Sequence, residues 1–433
     1  MSRVTADIES LDQEGRGVTH VDGKAVFVQG ALTGERVEFE PYRRRPSYEL
    51  ARATAVLSES SSRTTPRCDA FGVCGGCSMQ HLEPRAQVAA KQRVLEDNFA
   101  HIGKVSPETM LAPIHGPSWG YRYRARFSSR YVRKRGTTLV GFRERSHSFV
   151  ADMQTCDVVP PRISRLLMPL RDLINGLSIR ERLPQIELAI GEDRDAMAFR
   201  NLEPFTEADE DRLREFADQH GVHVYLQPGG PDTVHLLHPA GDELLTYTLP
   251  EFDVSYRFRL PDFTQVNHYI NRVLVRRALS LLDPQPGERI GDMFCGVGNF
   301  SLPIARRGAS VTGVEGSSGL VERAGENAQL NGLEHACSFQ AGDLFKIDAE
   351  TWQGLGRFDK LLIDPPRDGA IDLVTLLGDE SPARVVYVSC NPATLARDAG
   401  VMVHANGYAL RSAGVVNMFP HTSHVESIAV FEK

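Results

Sequence analysis

A chain of 433 residues is longer than one ordinary domain, and two or three are expected. With 41% hydrophobic and 24% charged residues, 37 Gly and 25 Pro, the composition is globular and excludes collagenous, disordered and coiled-coil classes. The net charge of −7 is unevenly spread: residues 41–160 carry 19 Lys/Arg against 10 Asp/Glu, and residues 192–262 carry 16 acids against 6 bases. The basic stretch is a candidate phosphate-facing surface. The opening MSRVTADIES has no apolar run, and no stretch approaches the roughly 18 apolar residues of a membrane span. A cytoplasmic protein with no membrane partner is the expectation. Seven cysteines, an odd number, argue against a disulfide framework and for metal binding or a reactive thiol.

Residues 1–62 read as short strands around Asp22-Gly23, a hairpin signal, and suggest a small closed β-barrel. The Ser/Thr/Pro-rich SESSSRTTP connector (58–66) ends it. A second region, 63–262, opens with Cys68, Cys74 and Cys77, continues through a helical stretch over about 83–102, and reaches Tyr121-Arg-Tyr-Arg-Ala-Arg-Phe127. That run has period two, with aromatics on one face and Arg122, Arg124 and Arg126 on the other. Between Trp119 and Arg145 nine bases, Arg133 among them, face the single acid Glu144. Arginines there favour RNA contact, since cations neutralise phosphates, while the aromatics read as core. The stretch over 83–118 is expected to pack on the third region.

In that third region, 263–433, strands and helices alternate, which means a Rossmann-like, doubly wound parallel sheet. Glu288–Phe294 is the first strand, and Val415–Phe419 with Ser427–Phe431 forms a closing hairpin. GDMFCGVGNF (291–300) puts two glycines between a strand and a helix, where backbone N–H groups can meet a ligand. Glu315, 19 residues after Gly296, is placed to accept from two ribose hydroxyls. Ser301 replaces the third glycine of a dinucleotide fingerprint, and Asp292 ahead of the loop would repel a phosphate but welcome an ammonium. S-adenosyl-L-methionine is the ligand this pattern favours.

Cys390, in Ser389-Cys-Asn-Pro, sits at the carboxyl end of a strand, the edge where open α/β sheets bind ligands. Asp364-Pro-Pro-Arg367 lies at the same edge. Amine methyltransferases commonly place an aromatic after Asp-Pro-Pro, whereas Arg367 stands here. Pyrimidine C5 is too weak a nucleophile to take a methyl group unaided. A thiolate adding to C6 activates it, and a base must then remove the C5 proton. His421-Thr-Ser-His-Val-Glu426 supplies His and carboxylate candidates for that base. Cys68-x5-Cys74-x2-Cys77, with Cys156 beyond, offers four soft ligands for zinc or an iron–sulfur cluster, and the spacing does not choose between them.

Together, DFTQVN (262–267), DMFCGVGNF (292–300), Asp364-Pro-Pro-Arg367, SCNPAT (389–394) and HTSHVE (421–426) resemble the bacterial RNA (uracil-5-)-methyltransferase family over nearly the whole chain. The resemblance implies Cys390 as nucleophile and Glu426 as the base for the C5 proton. It also implies Gln265, Phe294, Asn299, Glu315, Asp343 and Asp364 as residues for the methyl donor, Asp364 lying near the target base too. Having both a cysteine cluster and an N-terminal barrel, the chain is similar to the branch that bears a TRAM domain, an OB-like RNA-binding barrel, and acts on 23S rRNA. That branch implies a [4Fe–4S] cluster on Cys68, Cys74, Cys77 and Cys156, a 23S ribosomal RNA partner and, we expect, a monomer. The expected fold is multidomain α/β plus β: a TRAM-like barrel, an α+β cluster domain and a Rossmann-like methyltransferase domain. Alternatives are a tRNA uracil methyltransferase, a non-catalytic RNA-binding assembly factor and, ranked low for want of a Pro-Pro-Cys loop, a cytosine-5 enzyme. Asp262-Phe263 departs from the aromatic pair common before Gln265.

Overall fold

The computed structural model describes residues 4–145, 147–378 and 382–433. Its N-terminal sheet has six strands in the order Val4–Asp7, Arg36–Arg44, Tyr48–Ser58, Lys24–Gln29, Gly17–Val21 and Ser10–Leu11. Asp22 and Gly23, at φ 51 and 78, make the two-residue turn that pairs Val21 with Lys24. The Ile8 N–H donates to the Glu35 carbonyl, just before Arg36–Arg44, and the Glu9 N–H donates to Val18 on the other edge. The chain thus steps between edges within two residues and curls the sheet round Ile8, Val26, Val28, Val37, Phe39 and Ala51.

A second six-stranded sheet runs His235–His238, Val222–Gln227, Asp195–Arg200, Gln185–Ile190, Arg124–Val132 and Thr137–Gly141. Helices Leu167–Gly176 and Glu207–His220 pack on it, the latter started by a Thr206/Asp209 capping box. The basic strand begins at Arg124, later than the period-two pattern suggests. Before it, Arg122 and Tyr123 spend their N–H groups on the carbonyls of Val158 and Val266, outside any ladder.

The third sheet has eight strands: Cys337–Ala341, Ser310–Glu315, Arg289–Met293, Lys360–Ile363, Arg384–Ser389, Glu426–Glu432, Ala409–Val416 and Thr109–Met110. The first five are parallel, and Glu426–Glu432 slots antiparallel between its neighbours. The hairpin's first strand ends at Val416, so Asn417–Phe419 belong to the turn and not to the strand expected there. Thr109–Met110, from far earlier in the chain, completes the edge. Helix Pro84–Asn98 and the π-turn Phe99–Gly103 pack beside it on helix Pro392–His404. A Cβ on Gly103 would lie 2.4 Å from the Ala396 carbonyl, which explains the glycine. The core beneath the sheet also takes in Leu245, Tyr247, Tyr256 and Phe258, so packing is continuous across residue 262. No helix among the described residues is long and apolar enough to cross a membrane.

Candidate active site

Arg289–Met293 is the strand from which the order runs both ways, and its carboxyl end is where a doubly wound sheet opens a crevice. The loop there turns sharply, with Phe294, Gly296 and Gly298 at φ 66, 55 and 89. The Gly296 and Ser317 N–H groups donate to the two Glu315 oxygens at 3.2 and 3.1 Å, so this carboxylate ties both loops together. Asn299 is held by the Asn271 amide at 2.9 Å and the Tyr247 hydroxyl at 3.1 Å. Asp292 does not reach the crevice. It is fully buried, accepts the Ser301 hydroxyl at 2.5 Å and is pushed up to about 7 by burial. Its Oδ2 is taken by the loop's own serine and its Oδ1 has no partner among the described residues, so the acid sits beneath the loop and outside the cavity lining.

Five sheet-edge loops enclose a cavity of about 560 Å³. Gln265, Phe294, Asn299, Glu315, Asp343 and Asp364 line it on one side, and Cys390 and Glu426 complete it. Cys390 is half-buried directly after Arg384–Ser389, before a helix capped by Asn391. Glu426 opens the antiparallel strand at 4% exposure. Burial pushes Glu426 up to about 7, against the pull of Arg367 and Lys91. Burial, then the nearby Glu426 and Asp364, push the Cys390 thiol up to about 12, with Arg367 opposing. Asp364 is raised well above the usual carboxylate range, by burial first and then Glu426 and Asp292. Three acids in one cavity cannot all ionise together. Arg367 ties the rim: its Nη2 meets His424 Nδ1 at 2.8 Å, and its carbonyl accepts from Asn391 at 2.9 Å and Thr394 at 3.1 Å.

Tyr247, Phe263, Phe345 and Phe419 also line the cavity and were not legible as site residues. Phe263 belongs to the DFTQVN motif but stands there only as a departure from an aromatic pair, and the other three lie outside the quoted motifs.

Cys68, Cys74, Cys77 and Cys156 surround one small cavity with Phe71, Phe142 and Met153. All four are free thiols raised first by burial, and each of Cys74, Cys77 and Cys156 is raised further by others of the group. Gly75 and Gly76 allow the wrap, since a Cβ on either would lie 3.0 Å from the Arg143 carbonyl or the Phe142 ring. Among the described residues no three His, Cys, Asp or Glu side chains are gathered closely enough to hold a single metal ion.

A groove of about 790 Å³ joins the curled sheet, the cysteine loop and the turn before Glu426, lined by Arg16, Arg122, Arg126, Arg143, Arg145 and His424 among others. Two expected arginines do not share it. Arg124 is half-buried with its guanidinium 3.9 Å from Glu187, which Arg126 also reaches at 3.7 Å, and Arg133 pairs with Glu181 at 2.5 Å.

A family model described as tRNA (Uracil-5-)-methyltransferase matches residues 84–433. The chain belongs to this family. Relatives named 23S rRNA (uracil(1939)-C(5))-methyltransferase RlmD include those of Aromatoleum aromaticum, 62% identical over 99% of both chains, and Nitrosospira multiformis, 61% identical over 98% of both. The crystal structure of Pyrococcus abyssi tRNA (uracil-54, C5)-methyltransferase with S-adenosyl-L-homocysteine superposes at a TM-score of 0.76, covering 99% of this chain and all of that one at 24% identity. The likeness establishes the mixed α/β methyltransferase fold for this uracil-5-methyltransferase family member.

Proposed function

We infer that the chain transfers a methyl group from S-adenosyl-L-methionine to C5 of a uridine in 23S rRNA, the position its RlmD relatives are named for. The observation that carries this reading is the convergence of Cys390, Asp364 and Glu426 with the glycine loop and Glu315 on one cavity. The donor set fits the methyl donor: carboxylates at Glu315 and Asp343 suit its ribose hydroxyls and purine, aromatic walls at Phe294 and Phe345 suit a flat base, and Gln265 adds a polar group. When bound, that donor supplies an electrophilic sulfonium methyl.

Cys390 Sγ adds to uridine C6, losing its proton to solvent at the Arg367–His424 mouth. The C5=C6 electron pair moves onto C5 and the adjoining carbonyl, and C5 takes the methyl. Burial raises Asp364 well above the usual carboxylate range, which suits it to donate to that carbonyl as charge builds there. Glu426 removes the C5 proton, the double bond re-forms, and the C6–S bond breaks to release Cys390. A stacked base cannot accept sulfur at C6, so the uridine must be splayed from the RNA. The basic groove suits the flanking strand. The curled sheet serves as a TRAM-type RNA barrel. A [4Fe–4S] cluster would be held by Cys68, Cys74, Cys77 and Cys156, the four soft thiols that line one small cavity.

Mass mapping of methylated nucleotides in rRNA and tRNA from cells with and without the protein tests the substrate; loss of a tRNA mark alone would reassign it. Cys390→Ala is expected to abolish turnover and covalent RNA adducts. Glu426→Gln is expected to accumulate the methylated adduct, and rapid product release from it would overturn the base assignment.

A further inference from the structure

Glu426 enters the cavity from the turn that joins Ala409–Val416 to Glu426–Glu432, and that turn is shaped by residues from elsewhere in the chain. His421 sits at φ 64, in the left-handed region that a non-glycine residue keeps only when its surroundings hold it there. Its N–H donates to Gln87 Oε1 at 2.8 Å, and its carbonyl accepts from the Ser78 and Met79 N–H groups at 2.8 and 2.9 Å. Gln87 Nε2 also reaches His421 Nδ1 at 3.2 Å, and the imidazole stacks on Trp119 with ring centres 3.8 Å apart.

One helical turn beyond Gln87, on the same face, is Lys91. It is 1% exposed, and its ammonium donates to Asn417 Oδ1 at 2.8 Å and the Phe419 carbonyl at 2.9 Å. A buried ammonium is costly unless paired, and both of its partners lie in this turn. Neither Gln87 nor Lys91 lines the cavity. We propose that Gln87 and Lys91 are positioning residues that clamp the 417–424 turn from the helix Pro84–Asn98 and so aim Glu426 at the pyrimidine. The proposal rests on Glu426 being the base.

Charge supports the same assignment. The groups facing Glu426 are the cations Arg367 and Lys91 and the acids Cys390 and Asp364. Lys91 is itself pushed down to about 7 by burial while Glu426 holds it up. The neighbouring His421 and His424 are pushed down to about 4, burial first and Lys91 among the causes. Removing the Lys91 charge therefore keeps Glu426 protonated to higher pH.

The test compares two RNAs with full-length protein. One carries uridine at the target, and the other 5-fluorouridine, whose C5 has no removable proton, so the reaction stops at the methylated adduct. Lys91→Met and Gln87→Ala are expected to form the fluorinated adduct within about threefold of the parent. Turnover on uridine should fall about tenfold or more, and the acid limb of the Lys91→Met pH profile should move up by about one pH unit. Lys91→Arg, which keeps the charge, should return that limb. Arg93→Ala, exposed on the same helix and paired with Asp97, should match the parent. Equal losses on both RNAs, or an unmoved acid limb in Lys91→Met, would overturn the clamp. Full turnover by Glu426→Gln would instead remove the base assignment on which it rests.

Discussion

Glu426 is held where its charge works against the fold. Its folded value of about 7 lies above the ordinary 4.5, so the native state binds the proton more tightly than the unfolded chain. That contribution is complete below about pH 4.5 and is lost as pH rises to about 7, on the order of 3 kcal/mol in all. Glu426→Gln is therefore expected to be more stable than the parent at pH 8 and scarcely different near pH 4.5, read from thermal melts at the two pH values. Turnover runs the other way. As the proposed base, Glu426 must be unprotonated to work, so activity on uridine should fall about tenfold per pH unit below pH 7. Cys390 and Glu426 were legible from short motifs because each is fixed by the end of its own strand. Lys91 and Gln87 were not. Nothing in the local sequence of helix Pro84–Asn98 signals that one of its faces grips residues more than three hundred positions away.

At the scale of an element, the basic strand separates charge from function. Arg126 lines the groove, whereas Arg133 is engaged with Glu181 outside it. Arg126→Ala is expected to weaken RNA binding and lower the slope of log affinity against log salt by about 1, while Arg133→Ala leaves both unchanged. Titration of RNA binding at several salt concentrations distinguishes them. Arg124 shows the limit of reading alternation. Period two places it beside Arg126, and both guanidiniums lie near Glu187, but only Arg126 lines the groove. By contrast, the Asp22-Gly23 hairpin and the glycine turn after Arg289–Met293 were readable, because each depends on local backbone chemistry.

Across the whole molecule, the curled sheet and the cysteine segment both meet the turn before Glu426. The curled sheet reaches it through Gly15, whose neighbours include Met79 and Ser423; the cysteine segment reaches it through Ser78 and Met79. Cys68→Ser is expected to lower thermal stability and RNA affinity while donor binding stays within about twofold. Calorimetry with S-adenosyl-L-homocysteine beside RNA titration would check this, and unchanged stability and RNA affinity would argue against a structural role for the cysteine site.

The strand Thr109–Met110 has a bearing on how the protein is made. It and the helix before it emerge from the ribosome early, yet the edge and helix they cover, Ala409–Val416 and Pro392–His404, come near the end of synthesis. Until then the apolar side of Leu95, Phe99 and Val105 has no native cover. The nascent chain must carry that sticky surface through most of its translation.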